Sequence, residues 1–306
     1  MLPRTQTAPR SRRTSSWIVR RLLLICGGLY FAPLVVLCAF QRPLIFHAAA
    51  TSPLARVPDR AQVVTFPAAD GETVTAYYGQ ALRMDGRPDP DFAQRPTLLF
   101  FYGKGGTADN CREWFQAFRR LDANILMPDY LGFGSSPGTA SEANCYLTAD
   151  AAYRYLRGRT DLDPKRIVIG GYSLGSGVAV NLAARETALG QPVAGLALWA
   201  AYTSMAEEAH QQFPLYPTAL LRLFVWNRFD SESKIARVAC PVLLVHSRAD
   251  RLIPFWMSDK LAAACRGSVT HLTLNRADHA DYFRVEGKAV FAALGQFLEK
   301  VTPHET

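Results

Sequence analysis

Gly171-Tyr172-Ser173-Leu174-Gly175 sets a serine between two glycines, directly after the apolar run Ile167-Val168-Ile169 and shortly before Val178-Ala179-Val180-Asn181-Leu182-Ala183-Ala184-Arg185. A β-branched run, a glycine-bounded corner and a helix-compatible stretch predict strand, sharp turn and helix in that order, with Ser173 at the corner. The flanking positions must be small, because larger side chains would collide with the adjacent strand and helix. The helix beginning after Ser173 aims unpaired N–H groups at the same spot, where a negative oxygen can be held. This is the chemistry of attack on a carbonyl. The plain alternative is a glycine-rich strand-to-helix turn with an incidental serine.

A serine hydroxyl attacks only when a base removes its proton, and the base needs an acid to hold its tautomer. Of the six histidines, His279 lies in Asn275-Arg276-Ala277-Asp278-His279-Ala280-Asp281, between the last predicted strand and the last predicted helix. That is the carboxyl edge where open α/β sheets place their sites. His246 ends a strand and reads as structural, His271 falls inside a strand pattern, and His210 lies in a long apolar insertion. His47 and His304 are near the ends of the chain. For the acid, Asp250 occupies the loop after the penultimate strand; Asp278 and Asp281 are too close in sequence to clamp the His279 ring and read as surface carboxylates, with Glu207 a remote alternative. A tetrahedral oxyanion also needs two backbone donors. One is expected at Leu174, the other at Lys104 or, second, Gly105, in the loop after Phe101-Tyr102-Gly103. Tyr102 and Tyr172 beside these groups, and Phe213 and Phe224 in the insertion, are the expected substrate contacts.

The elements that must position these residues alternate. Gln62–Phe66 and Thr73–Tyr78 alternate in polarity around Asp70-Gly71 and predict a hairpin. Strands are predicted at 97–102, 124–128, 167–169, 193–199, 241–246 and 269–274, with helices near 114–120, 143–157, 178–185, 256–265 and 287–301. Apolar strands alternating with helices mean a mostly parallel sheet covered on both faces. Residues 202–237 break the rhythm with Phe213, Leu215, Leu220, Leu223, Phe224 and Trp226. An apolar connection of that length is read as a small helical lid over the pocket, against the alternative of a surface helix packed on the core.

With 306 residues, 49% hydrophobic and 20% charged, one large core is expected rather than two. The net charge of +8 is concentrated at one end: Arg4, Arg10, Arg12, Arg13, Arg20, Arg21 and Arg42 are the only charged side chains before position 47. The remainder is close to neutral, which removes the main support for a nucleic-acid partner. Residues 1–16 are polar, basic and aperiodic and read as disordered. Residues 22–40 carry no charge and are long enough for one helical crossing of a bilayer. Arginines before the span keep that end cytoplasmic and place the rest outside the cytosol, facing the periplasm if the cell is bacterial. The expected organisation is a basic tail at 1–21, a signal anchor at 22–40 and a single domain at 41–306. A cleaved signal peptide ending at Ala48-Ala49-Ala50 competes, but the apolar run is long for one. Cys111, Cys145, Cys240 and Cys265 have no metal-ligand spacing and are expected to be buried thiols, or to include a disulfide in an oxidising compartment.

Gln41-Arg42-Pro43-Leu44-Ile45-Phe46, Asp129-Tyr130-Leu131-Gly132-Phe133-Gly134, the Ser173 corner, Phe229-Asp230-Ser231, Asp250 and His279 together resemble the α/β-hydrolase superfamily, in particular its membrane-anchored serine hydrolases. The chain order Ser, Asp, His is that superfamily's order. The resemblance implies an α/β-hydrolase fold and an enzyme without cofactor or metal that cleaves esters, thioesters or small amides through an acyl-serine. The sequence departs from the pattern at Tyr102, where His often precedes the glycine, and at Ser247, where Gly is usual after His246. The apolar insertion and the adjoining span suggest a small-molecule acyl substrate, medium-chain or lipid-like. Two rival readings are an amino- or oligopeptidase of the same fold and a catalytically idle, membrane-tethered binding module.

Overall fold

The computed structural model describes residues 13–47 and 57–303. The expectations for residues 1–12, for Ala48-Ala49-Ala50 and for His304 lie outside the described residues. The chain divides into two compact units, Met1–Leu44 and Ile45–Thr306.

In the first unit, helix α1 spans Arg13–Ala39 and includes Pro33. Residues 13–16, expected to be irregular, are its first turn. Within it Ser16–Ala39 has a mean hydropathy of 2.4 and is long and apolar enough to cross a membrane. Helix α2 follows at Gln41–Phe46, its last two residues belonging to the second unit.

The second unit is built on an eight-stranded sheet. Strands β1 (Gln62–Pro67) and β2 (Thr73–Gly79) form the expected antiparallel hairpin, with Thr65 opposite Thr75 and Gly71 at φ +87° in the turn. β3 is Thr97–Phe101, β4 Asn124–Pro128, β5 Ile167–Tyr172, β6 Gly195–Trp199, β7 Val242–Ser247 and β8 Val269–Leu274. The sheet order is β1-β2-β4-β3-β5-β6-β7-β8; β2 meets β4 antiparallel and every later pairing is parallel. Strands β3 to β7 are buried along their whole length, which explains their unbroken apolar runs.

Helices α3 (Arg112–Arg119), α4 (Glu142–Arg157), α5 (Leu174–Ala188), α9 (Phe255–Ala264) and α11 (Gly287–Val301) pack on the strands. Ser141 caps α4 by accepting from the Asn144 N–H at 3.1 Å. The insertion folds as three short helices, α6 (Met205–Gln212), α7 (Thr218–Phe224) and α8 (Ser231–Ile235). Its neck is closed by Met205 N–H to Arg228 O at 2.9 Å and Ser231 N–H to Thr203 O at 2.9 Å. Glu142 clamps the same place, accepting from the N–H groups of Arg228 and Phe229. The short helix α10 (Tyr282–Val285) completes the series. The described cysteines are all free thiols, with Cys111, Cys145 and Cys240 buried.

Candidate active site

Ser173 stands between β5 and α5 at φ 51°, ψ −118°, a left-handed backbone that a residue with a Cβ adopts at a cost of about 1–3 kcal/mol. The conformation is held from several sides. Its N–H donates to Trp199 O at 2.9 Å. A Cβ on Gly171 would run into the Gly175 backbone, and one on Gly175 would run into the Phe101 carbonyl. Neither position leaves room for any other residue, so the glycine spacing follows from close backbone approach. Ser173 is only 6% exposed, which keeps most water from the hydroxyl.

His279 follows β8 and Asp250 follows β7, and the fold brings both to Ser173. Ser173 Oγ lies 2.9 Å from His279 Nε2, and His279 Nδ1 lies 2.9 Å from Asp250 Oδ2. A carboxylate only accepts, so Nδ1 carries the proton and Nε2 is free to take one from the serine. Asp250 is fully engaged. Its Oδ1 accepts from the N–H groups of Leu252 (2.9 Å) and Ile253 (2.8 Å), and its Oδ2 accepts from Tyr282 Oη at 2.9 Å as well as from the ring. Burial works to raise this carboxyl, but the ring, the Ile253 N–H and the Tyr282 hydroxyl together hold it below the usual carboxylate range.

The loop after β3 supplies the second half of the site. A Cβ on Gly103 would lie 3.2 Å from Ser173 Cβ, so this loop abuts the serine directly. Gly105 N–H donates to Phe46 O at 3.3 Å, whereas the N–H groups of Lys104 and Leu174 have no partner among the described residues. Of the two loop donors considered from sequence, Lys104 is therefore the one left to face an oxyanion.

The substrate contacts expected from sequence divide. Tyr172 lies against the site, its ring centroid 5.7 Å from that of His279 and its hydroxyl donating to the His279 carbonyl. Tyr102 requires a correction: it is fully buried, its hydroxyl donates to Asp129 Oδ1 at 2.9 Å, and its carbonyl accepts from the Tyr130 hydroxyl at 2.8 Å. A buried carboxylate draws the phenol inward, so Tyr102 supports the loop from beneath and offers no surface to a substrate. Phe213 follows α6, exposed, and Phe224 ends α7, half-buried.

Four positioning groups escaped the sequence reading. Asp129 accepts from Tyr102, from Ala108 N–H (2.7 Å) and from Ser135 N–H (2.9 Å), tying the loop after β3 to the loop after β4; burial raises its carboxyl despite these donors. Tyr282 bridges Asp250 and the Ser247 N–H (3.0 Å). Asp278 accepts from the His279 N–H at 2.8 Å and from Arg251 Nε at 2.7 Å, so this surface carboxylate also clips the two loops together. Glu286 accepts from the N–H groups of Asn275, Arg276 and Ala277. No spacing rule announces them, because each joins loops far apart in sequence or turns that are irregular.

Of the insertion, Glu208 feels the site's charges. Glu208 on α6 has its carboxyl pushed up by burial, with the charges of Lys104 and His279 pulling the other way. Three other histidines make contacts of their own: His246 is buried with Nε2 2.8 Å from Ile253 O and 3.8 Å from Asp250 Oδ2, His271 meets Ser258, and His210 meets the Tyr216 carbonyl. Glu207 pairs with Thr218 and Arg222 and not with a histidine. Among the described residues, no group of three or more His, Cys, Asp or Glu is placed to hold a metal ion.

Comparison with known proteins agrees with the architecture. The family described as alpha/beta hydrolase fold matches residues 96–223. An uncharacterized protein of Mycobacterium tuberculosis, Rv2307c, is 30% identical over 92% of this chain and 94% of its own length. The lysophosphatidylserine lipase ABHD12 of Danio rerio is 31% identical over 55% of this chain and 47% of its own. Among solved structures, the esterase Pf2001 of Pyrococcus furiosus superposes with a TM-score of 0.61 at 15% identity, covering 78% of this chain and 90% of that one. At that identity the likeness speaks for the fold alone.

Proposed function

The chain belongs to the alpha/beta-hydrolase superfamily, and on that premise we propose that it is a serine hydrolase that cleaves carboxylic esters or thioesters through an acyl-serine intermediate. The observation that carries the reading is the continuous row Ser173 Oγ, His279 Nε2, His279 Nδ1, Asp250 Oδ2, with 2.9 Å at each junction. In the acylation step His279 takes the Ser173 proton as the oxygen attacks the carbonyl carbon, and Asp250 steadies the imidazolium that forms. The oxyanion is received by the N–H groups of Leu174 and Lys104. His279 then returns the proton to the departing alcohol or thiol. Water repeats the cycle in reverse and frees the acid. The lipase among the relatives supports a lipid-like acyl substrate, and Ser16–Ala39 supports a membrane anchor, with the arginines before it holding the hydrolase unit on the extracytoplasmic side.

The test is Ser173→Ala in the purified full-length chain. Turnover of p-nitrophenyl butyrate is expected to fall at least about a thousandfold, with fluorophosphonate labelling lost and the circular dichroism spectrum kept. Undiminished turnover in that variant removes the reading.

A further inference from the structure

Phe46, the second residue of the hydrolase unit, sits where three of that unit's loops meet. It is 1% exposed. Its ring lies edge-on to Phe133, 6.3 Å away in the loop after β4, and 6.1 Å from Phe229 at the neck of the insertion. Its carbonyl accepts from the Gly105 N–H at 3.3 Å, in the loop after β3. All four residues lie within Ile45–Thr306. Burial of an aromatic ring explains the packing, but it does not require the carbonyl to meet this particular loop.

Gly105 is where that contact bears on chemistry. Residues Gly103 to Gly106 form a four-residue turn closed by Gly106 N–H to Gly103 O at 3.1 Å. Gly105, in the third position, has φ +72°, whereas Lys104 before it is not at positive φ. That is the pattern of a type II turn, which differs from type I by a flip of the peptide joining the two central residues. Here that peptide is Lys104–Gly105, and Phe46 O holds its N–H. Asn110 Nδ2 grips the same glycine through its carbonyl at 3.3 Å. A flip would turn the backbone of Lys104, whose own N–H is the donor offered to the oxyanion, and a misplacement of about 1 Å is enough to cost catalysis dearly. We propose that Phe46 is a positioning residue for the oxyanion hole: its ring, wedged between Phe133 and Phe229, fixes its carbonyl, and the carbonyl fixes the turn that presents the Lys104 N–H. The inference rests on the reading of Ser173 as nucleophile and Lys104 as donor. A chain processed after Ala48-Ala49-Ala50 would give up Phe46, and with it this support.

The test uses the full-length chain in detergent micelles. Lys104-Gly105 is the one Lys-Gly pair in the sequence, so carbonyl-labelled lysine with nitrogen-labelled glycine selects its amide in NMR spectra. That amide is expected to exchange with solvent at least about tenfold more slowly in the wild type than in Phe46→Ala. On p-nitrophenyl butyrate, Phe46→Ala is expected to lose about tenfold or more in kcat with KM kept within about twofold. Its affinity for a trifluoromethyl ketone should fall in step with kcat, because both report the oxyanion and not the bound ground state. Phe46→Leu keeps an apolar wedge and the carbonyl it carries, and its kcat is expected within about threefold of the wild type. Phe46→Val takes the place of Phe46→Ala if that chain does not fold. A wild-type Gly105 amide that exchanges as fast as an unstructured one overturns the inference. Unchanged kcat and ketone affinity in Phe46→Ala, with only thermal stability lowered, confine Phe46 to the core and overturn it equally. Amide exchange needs no turnover, so a wild-type chain that protects Gly105 yet is inert toward esters sinks the hydrolase reading, whereas an active one without that protection sinks this inference alone.

Discussion

Replacing Asp250 by Asn tests the hydrogen-bonded row at its carboxylate end, and the structure dictates how the amide must sit. The Oδ1 position faces two backbone donors, the N–H groups of Leu252 and Ile253 at 2.9 and 2.8 Å, so the amide oxygen has to occupy it. The amide nitrogen then falls where Oδ2 was, 2.9 Å from His279 Nδ1 and 2.9 Å from Tyr282 Oη. Two N–H donors cannot share one hydrogen bond, so His279 is driven to the tautomer with Nδ1 bare and Nε2 protonated. That ring cannot take the Ser173 proton. A tautomer error of this kind costs about three to four powers of ten in turnover, or about 4–5.5 kcal/mol in the barrier. The Asp250→Asn chain should fold normally, since its backbone contacts persist and the substitution preserves volume. The assay is kcat/KM for p-nitrophenyl butyrate at pH 7, with thermal unfolding as the control for folding. A value within about tenfold of the wild type would refute the reasoning, because it would mean that the imidazole does not depend on this carboxylate.

Two further outcomes follow from the support around the triad. Tyr282→Phe removes one donor from Asp250 and strands the buried Ser247 N–H, so kcat is expected to drop about tenfold with a stability loss of about 1–3 kcal/mol; an unchanged kcat with lowered stability would confine Tyr282 to the core. The Asp278 carboxyl is held down at about 2, first by the Arg251 N–H and side chain and then by the His279 N–H. A depressed acid stabilises the fold above its ordinary range near 4 and loses that contribution as the pH falls toward about 2, so Arg251→Ala should move the acid-side loss of this clip to higher pH. Carboxyl titration by NMR reads the shift directly; an Asp278 titration identical in the variant contradicts it.

The architecture was legible in the sequence where the physics is local or periodic. Buried parallel strands need continuous apolar runs, so β3, β5 and β7 stand out, and the hairpin turn at Asp70-Gly71 is set by a glycine that must take positive φ. The corner at Ser173 announced itself through two glycines that admit no Cβ. Loop-to-loop contacts left no such trace. Tyr102 looks from sequence like a pocket residue because it adjoins the oxyanion loop, and only the buried carboxylate of Asp129, 27 positions away, shows that its ring points inward. Asp278 reads from sequence as a surface carboxylate, which it is, but its tie to Arg251, also 27 positions away, has no trace there. The start of α1 was misplaced for another reason: Arg13–Ser16 lack periodicity of their own and extend a helix whose apolar body is downstream.

β8 borders the sheet and has a single neighbour, β7. His279 is thus carried just beyond a margin strand, while Ser173 rises from the interior, flanked by pairing on both sides. The two proposed partners in proton exchange rest on ground of unequal firmness. Asp278, Glu286 and Tyr282 act as guy-ropes on the weaker side, replacing the lateral bracing that a ninth strand would provide. Fraying at this margin would draw the imidazole off the hydroxyl while the remaining strands stayed zipped, so loss of activity need not wait for loss of structure.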